Sequence, residues 1–224
     1  MKSYDVIVVG AGPAGLLAAG SAAQNGAKVL ILEKMYAPGR KLLITGKGRC
    51  NVTNEAPISE FITHIFPDGR FLRSAFADFF SKEIIDLLAE HGVACTLERG
   101  GRWFPESNQS ADILKALLKW VGELGVEIRC SQRVEKLLVE DGTISGVKAN
   151  GENILAPNVI LATGGKSYPG TGSTGDGYEL ARQVGHTIEK PIPALVPLET
   201  KGSTAQNLQG LNLQNVKAVD WVDG

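Results

Sequence analysis

At 224 residues the chain exceeds one small domain, and its 43% hydrophobic content is that of an ordinary globular core. A formal net charge of −1 provides no broad attraction for nucleic acid or an anionic membrane, so neither partner is expected. No apolar run approaches the ~20 residues of a spanning helix, and no charged-then-apolar leader precedes the first strand, so the chain reads as cytoplasmic.

Taken in chain order, the first element is an apolar strand, Tyr4 to Val9, running straight into Gly10-Ala11-Gly12-Pro13-Ala14-Gly15. The glycines have separate tasks. Gly10 permits the tight turn, Gly12 lets the backbone approach a pyrophosphate, and Gly15 lets the following helix pack closely on the strand. The helix start at Pro13-Ala14 leaves unpaired N–H groups and the positive end of a dipole aimed at an anion. The helix spans roughly Ala14 to Asn25 and stops at Gly26, and a second apolar strand, Lys28 to Leu32, delivers Glu33 about 20 residues beyond the turn. This is a βαβ nucleotide unit with its ribose-binding acid. A carboxylate there accepts from a free 2′-hydroxyl and repels a 2′-phosphate, which disfavours NADP and leaves FAD and NAD.

Pro38 to Asn54 is a basic, glycine-rich loop whose cations, Arg40, Lys41, Lys47 and Arg49, stand among glycines that include Gly48. Cations there could neutralise a dinucleotide pyrophosphate, and the glycines let backbone N–H groups approach a flavin edge. On composition alone, a solvated surface loop is the competing reading. Cys50, Cys95 and Cys130 are widely separated, with no CxxC pair and no histidine cluster, so neither a disulfide framework nor a metal site is expected.

Further on, Ser81 is placed as the cap of an amphipathic helix, Lys82 to His91, and Arg99-Gly100-Gly101-Arg102 as a hairpin tip. Ser110 is placed as the cap of another helix, whose Ile113, Leu114, Leu117, Leu118, Val121 and Leu124 share an apolar face. Strands follow at Val126 to Cys130, Val134 to Val139 and Ile144 to Ala149, the last two joined at Asp141-Gly142 as a β-meander. Asn158 to Leu161 is a buried strand ending in Ala162-Thr163-Gly164. Such a returning strand packs its Thr-Gly turn near the dinucleotide in the two-dinucleotide-binding-domain flavoproteins, which this pattern resembles, and FAD becomes the leading cofactor. The expected class is α/β, a Rossmann-like FAD-binding domain over residues 1–193 with a doubly wound sheet, a β-meander, and the start of an inserted β-rich domain at 194–224. Tyr168 to Gly177 reads as a loop lying across the cofactor cleft, with a structural turn as the competing reading; a helix at Tyr178 to Val184 follows it, and Leu211 to Val216 alternates like a strand.

Four blocks together carry a more specific likeness: Asp5 to Gly15; TGKGRCNVTN at 45–54; GRWFPES at 101–107; and the run from Ala162 to His186 followed by Pro193 to Leu198. The chain resembles the bacterial NAD(P)/FAD-dependent oxidoreductases of the BaiN/RdsA type, which include proteins described as aminoacetone oxidases. The resemblance implies FAD binding by Ala14, Glu33, Lys34, Arg40, Lys41, Cys50, Asn51, Thr163 and Gly164, with Val134 near the adenine. Lys47 departs from the family, which usually carries a third glycine there. Family members also continue well past Gly224, so the resemblance implies a chain that stops within the inserted substrate or cap domain.

The implied function is hydride transfer between FAD and a small organic substrate, with NAD(P)H or oxygen as redox partner. No second GxGxxG provides a separate nicotinamide site, and His64, His91 and His186 stand alone, so no catalytic residue is named. The alternative is a non-catalytic FAD-binding module or one part of a split assembly. A transfer-RNA-modifying role is set against by the balanced charge and the lack of a basic-aromatic stripe.

Overall fold

A computed structural model describes residues 3–193 and 201–211. The chain divides into two units, residues 1–188 and 189–224.

In the first unit β1 (Val6–Val9), α1 (Pro13–Gln24) and β2 (Val29–Leu32) form the βαβ unit expected from the glycine turn. Next come α2 (Arg40–Ile44), β3 (Thr53–Asn54), the short α3 (Ile58–Phe61) and α4 (Arg73–Asp78), and α5 (Ser81–Glu90). The hairpin β4 (Cys95–Glu98) and β5 (Arg102–Pro105) leads to α6 (Ser110–Glu123) and β6 (Glu127–Arg129). The meander β7 (Val134–Glu140), β8 (Thr143–Ala149) and β9 (Glu152–Leu155) precedes the returning strand β10 (Asn158–Leu161) and α7 (Asp176–Gln183). In the second unit α8 (Thr204–Asn207) lies among the described residues. The strand expected at Leu211 to Val216 falls, beyond Leu211, outside them.

The main sheet is parallel, in the order β10-β1-β2-β6, with Val6 opposite both Val29 and Asn158. β1 and β2 are buried along their whole length, as strands covered on both faces must be. Alternation divides their side chains between two cores. Val6, Val8, Val29 and Ile31 pack with Leu16, Ala19, Leu117, Trp120 and Val121 from α1 and α6. Gly20 makes that helix pair possible, because a Cβ there would lie 2.1 Å from the Trp120 ring.

The opposite face corrects the doubly wound expectation. Ile7, Val9, Leu30 and Leu32 pack against Val134, Leu137, Val147 and Ala149 of the meander and Leu180 of α7. The crossover from β6 to β10 is made of antiparallel strands, which bury that face as a helix layer would: Val147 and Ala149 are fully buried.

Both predicted caps are displaced by one residue. Phe80 is the N-cap of α5, its N–H donating to the Glu83 carboxylate at 2.8 Å, while Ser81 Oγ donates to the Asn54 carbonyl at 2.8 Å. Gln109 is the N-cap of α6, and Ser110 Oγ donates to the Leu43 carbonyl at 2.9 Å. Each hydroxyl ties its helix to a distant segment rather than satisfying its own first turn.

Candidate functional site

The site begins where β1 ends. Gly10 adopts φ +108°, and its N–H donates to the Leu32 carbonyl at 2.8 Å; a Cβ there would lie 2.5 Å from the Ala162 carbonyl oxygen. A Cβ on Gly15 would fall 1.9 Å from the Gly10 carbonyl oxygen. These two glycines are demanded by packing of the turn itself. Gly12 is different: its φ is −77°, and a Cβ would meet no protein atom within 4 Å. It lines a cleft of 540 Å³. Its bare backbone is what allows a polar group to come against the turn.

α1 opens at Pro13 with no side-chain cap and no acidic residue in its first turn, so its leading N–H groups and dipole are not neutralised by the chain. Across the cleft, Arg40 stacks over the Tyr36 ring, 4.5 Å from its centroid, and its Nη2 donates to the Gly170 carbonyl at 3.3 Å. Arg40 Nη1 is buried and has no hydrogen-bond partner. A buried guanidinium nitrogen facing no acceptor is costly, and an anionic ligand is the partner that removes the cost. Lys41 Nζ donates to Ser167 Oγ at 3.1 Å.

At the end of β2, both Glu33 oxygens are fixed by backbone donors, the Ala11 and Met35 N–H groups, each at 2.8 Å. Each oxygen keeps a lone pair for a sugar hydroxyl. Lys34 pairs with Asp176 at 2.9 Å, and Val134 and Leu180 give this part of the cleft an apolar wall. Ala162, Thr163 and Gly164 extend from β10 along the cleft; Gly164 has φ +75°, and a Cβ there would lie 3.0 Å from Ser173 Oγ. The cleft therefore combines amide donors, an unpartnered guanidinium nitrogen and a fixed carboxylate, the donor and acceptor set that a pyrophosphate-linked dinucleotide requires.

Of the residues named from sequence, Gly10, Gly12, Pro13, Ala14, Glu33, Lys34, Arg40, Lys41, Val134, Ala162, Thr163 and Gly164 line this cleft, and Gly15 supports it from beneath. Gly48, Arg49, Cys50 and Asn51 do not line it. Arg49 Nε donates to Asn108 Oδ1 at 2.6 Å, its Nη2 pairs with Glu98, and its guanidinium lies 4.1 Å from the Phe104 ring centroid. Cys50 is buried with φ +62°, and burial pushes its thiol above the ordinary cysteine range. Gln132 and Arg133 are lining residues that the sequence reading missed, whereas Asp176 belongs to the Tyr168 to Gly177 loop expected across the cleft, with no role given to its side chain. Asp176 had a signal, an acid opening a helix; Arg133 had only its place beside Val134. Among the described residues no cluster of His, Cys, Asp and Glu could hold a metal, and no helix is long and apolar enough to cross a membrane.

Residues 4–219 match the family described as the HI0933-like protein Rossmann domain. The chain is 39% identical to the 3-dehydro-bile acid delta(4,6)-reductase of Clostridium scindens, covering 87% of this chain and 47% of that protein. It is 32% identical to the ribosomal RNA dihydrouridine synthase of Escherichia coli K12, covering 94% and 52%. It thus spans about half the length of these curated relatives. Among solved structures, the open conformation of a flavocytochrome c3 fumarate reductase superposes with a TM-score of 0.63 at 25% identity, over 83% of this chain and 41% of that one. A 3-ketosteroid-delta4-(5alpha)-dehydrogenase from Rhodococcus jostii shares the fold, with a TM-score of 0.57 at 21% identity, over 74% and 47%. With the dinucleotide cleft, these likenesses place the chain in the HI0933-like Rossmann family of FAD-binding oxidoreductases.

Proposed function

We propose that this chain is the FAD-binding part of an oxidoreductase that moves a hydride to or from a small organic substrate, with NAD(P)H or oxygen as the other redox partner. The observation that carries the proposal is Arg40 Nη1, buried without a partner on the wall of a cleft that also holds the open N-terminus of α1 and the fixed Glu33 carboxylate. Glu33 would accept from the ribose hydroxyls, the α1 N-terminus and Arg40 would hold the pyrophosphate, and Val134 would lie against the adenine. When bound, FAD supplies the hydride chemistry itself. The protein's part is to bind, to orient and to exclude water along the walls formed by Val134, Leu161 and Leu180.

The names of the two relatives, a delta(4,6)-reductase and a dihydrouridine synthase, both describe chemistry at a ring carbon–carbon double bond. They support such a bond as the target. A small molecule rather than RNA is proposed as its carrier because the net charge is −1; a gel shift with RNA that weakens as salt rises would reverse that choice.

The test is a visible absorption spectrum before and after adding FAD, followed by anaerobic titration with NADH and NADPH. A flavin spectrum bleached by either nucleotide supports the oxidoreductase and names the donor. A flavin that binds but is bleached by neither, and is not reoxidised by oxygen after chemical reduction, favours the non-catalytic FAD-binding module.

A further inference from the structure

Three charged side chains, Lys34, Arg133 and Asp176, meet in the cleft, and the Glu33 carboxylate lines the same cleft. Glu33 is fixed by the Ala11 and Met35 N–H groups, and its carbonyl accepts from the Gln132 N–H at 2.8 Å, which brings the Gln132-Arg133 loop alongside it. Lys34 follows Glu33 directly. Its Nζ reaches Asp176 Oδ2 at 2.9 Å, and Arg133 Nε stands 3.7 Å from the same oxygen. All four line the cleft. The Asp176 side chain is only 17% exposed, and its other oxygen accepts from Thr174 Oγ1 at 2.7 Å. Burial alone would raise the Asp176 carboxyl; the hydrogen bonds from Lys34 and Thr174, with the Arg133 charge, outweigh burial and hold it below the usual carboxylate range.

Two cations beside the ribose acid are the arrangement that accommodates a 2′-phosphate, because a lysine and an arginine fork together match a dianion. Here Lys34 is already hydrogen-bonded to one shielded carboxylate, Arg133 stands within ion-pair distance of the same oxygen with its own side chain 66% exposed, and with Glu33 the charges lining this stretch cancel. A 2′-phosphate entering beside Glu33 and Asp176 would meet two carboxylates, and Lys34 and Arg133 would have to leave Asp176 to offset it. We propose that Asp176 is a specificity-determining residue: by holding Lys34 and Arg133 in ion pairs, it restricts the cleft to dinucleotides lacking a 2′-phosphate and keeps NADP(H) out of the FAD site. The inference rests on the dinucleotide reading of the cleft.

The experiment compares ADP-ribose with 2′-phospho-ADP-ribose, which differ only in that phosphate, by isothermal titration calorimetry on the apoprotein. The wild type is expected to prefer ADP-ribose. Asp176→Asn should shift the ratio of the two affinities toward the 2′-phosphorylated probe by about tenfold, while ADP-ribose affinity changes by less than about threefold. Adding Lys34→Met to Asp176→Asn should reverse that gain, which a merely structural role for Asp176 would not do. Asp176→Ser, whose hydroxyl still suits the first turn of α7, tests the same relation if Asp176→Asn melts early. An unchanged ratio in a folded variant, or an equal fall in both affinities, overturns the proposal while leaving the dinucleotide cleft standing. A wild type that binds neither probe overturns both.

Discussion

Gly15 stands so close to Gly10 that a side-chain carbon on the first would lie 1.9 Å from the carbonyl oxygen of the second, whereas a carbon on Gly12, between them, would meet nothing within 4 Å. Two glycines of one motif thus serve the fold and the third serves the cleft. Gly15→Ala should cost about 3 kcal/mol, the upper end for overpacking, since the obstacle is backbone and cannot rotate away. Gly12→Ala should leave stability within about 0.5 kcal/mol of wild type and reduce FAD affinity by about tenfold or more. Urea unfolding and FAD fluorescence titration on both variants read this separation; a destabilised Gly12→Ala would break it.

Arg40 carries an expectation with two parts. Its unpartnered Nη1 gains nothing in the free protein, so Arg40→Met should leave apoprotein stability within about 1 kcal/mol, the loss of the Gly170 contact being offset by removal of a stranded donor. FAD affinity should fall by about 10- to 100-fold, the worth of one or two charge-assisted hydrogen bonds. Thermal melts with and without FAD check both parts: the ligand-induced rise in Tm should shrink while the apoprotein Tm stays put.

Lys47 occupies φ +57°, ψ +40°, the left-handed region, between Gly46 at φ +55° and Gly48 at φ +87°. An L side chain there is strained, and the position is the one at which the family resemblance expects glycine. Lys47→Gly should stabilise the protein by about 1 kcal/mol, the left-handed penalty less the added entropy of the unfolded chain. A loss of stability in urea unfolding would show that the Lys47 side chain makes a contribution its backbone conceals.

What was legible from sequence was what is local. The turn from Val9 to Gly15, the acid at Glu33, the tip at Gly100-Gly101 and the turn at Asp141-Gly142 each follow from residues within a few positions of one another, and the last is confirmed by φ +49° and +76°. What was not legible depends on distant partners. The alternation of Val134 to Glu140 announces a strand but not that it lies over Ile7 and Leu30. The hydroxyls of Ser81 and Ser110 mark helix starts, yet bond 27 and 67 residues away. Arg49, read as a free cation, is committed to Glu98 and Asn108 on another sheet and its flanking loop. Asp176 and Arg133 join the site from segments 43 residues apart, for which no spacing rule exists.

Cys95 gives the fold an alkaline limit. Burial, reinforced by Cys50 and Glu106, pushes its thiol up to about 11, so in the folded chain it stays protonated where an exposed cysteine has begun to ionise. A group raised on folding stabilises the native state fully below its unfolded value and loses that contribution as pH climbs through the folded one. Stability should therefore decline between about pH 9 and pH 11. Cys50, Cys130 and Tyr4 are shifted in the same direction, chiefly by burial, so they share the decline. Cys95→Ala should cost about 1 kcal/mol at pH 8 through the lost sulfur contact, and its stability should fall less steeply than that of wild type toward pH 11 without becoming flat. Urea unfolding of both proteins at intervals across that range measures the two slopes; parallel curves would mean that the Cys95 thiol ionises as freely in the folded chain as in the unfolded one.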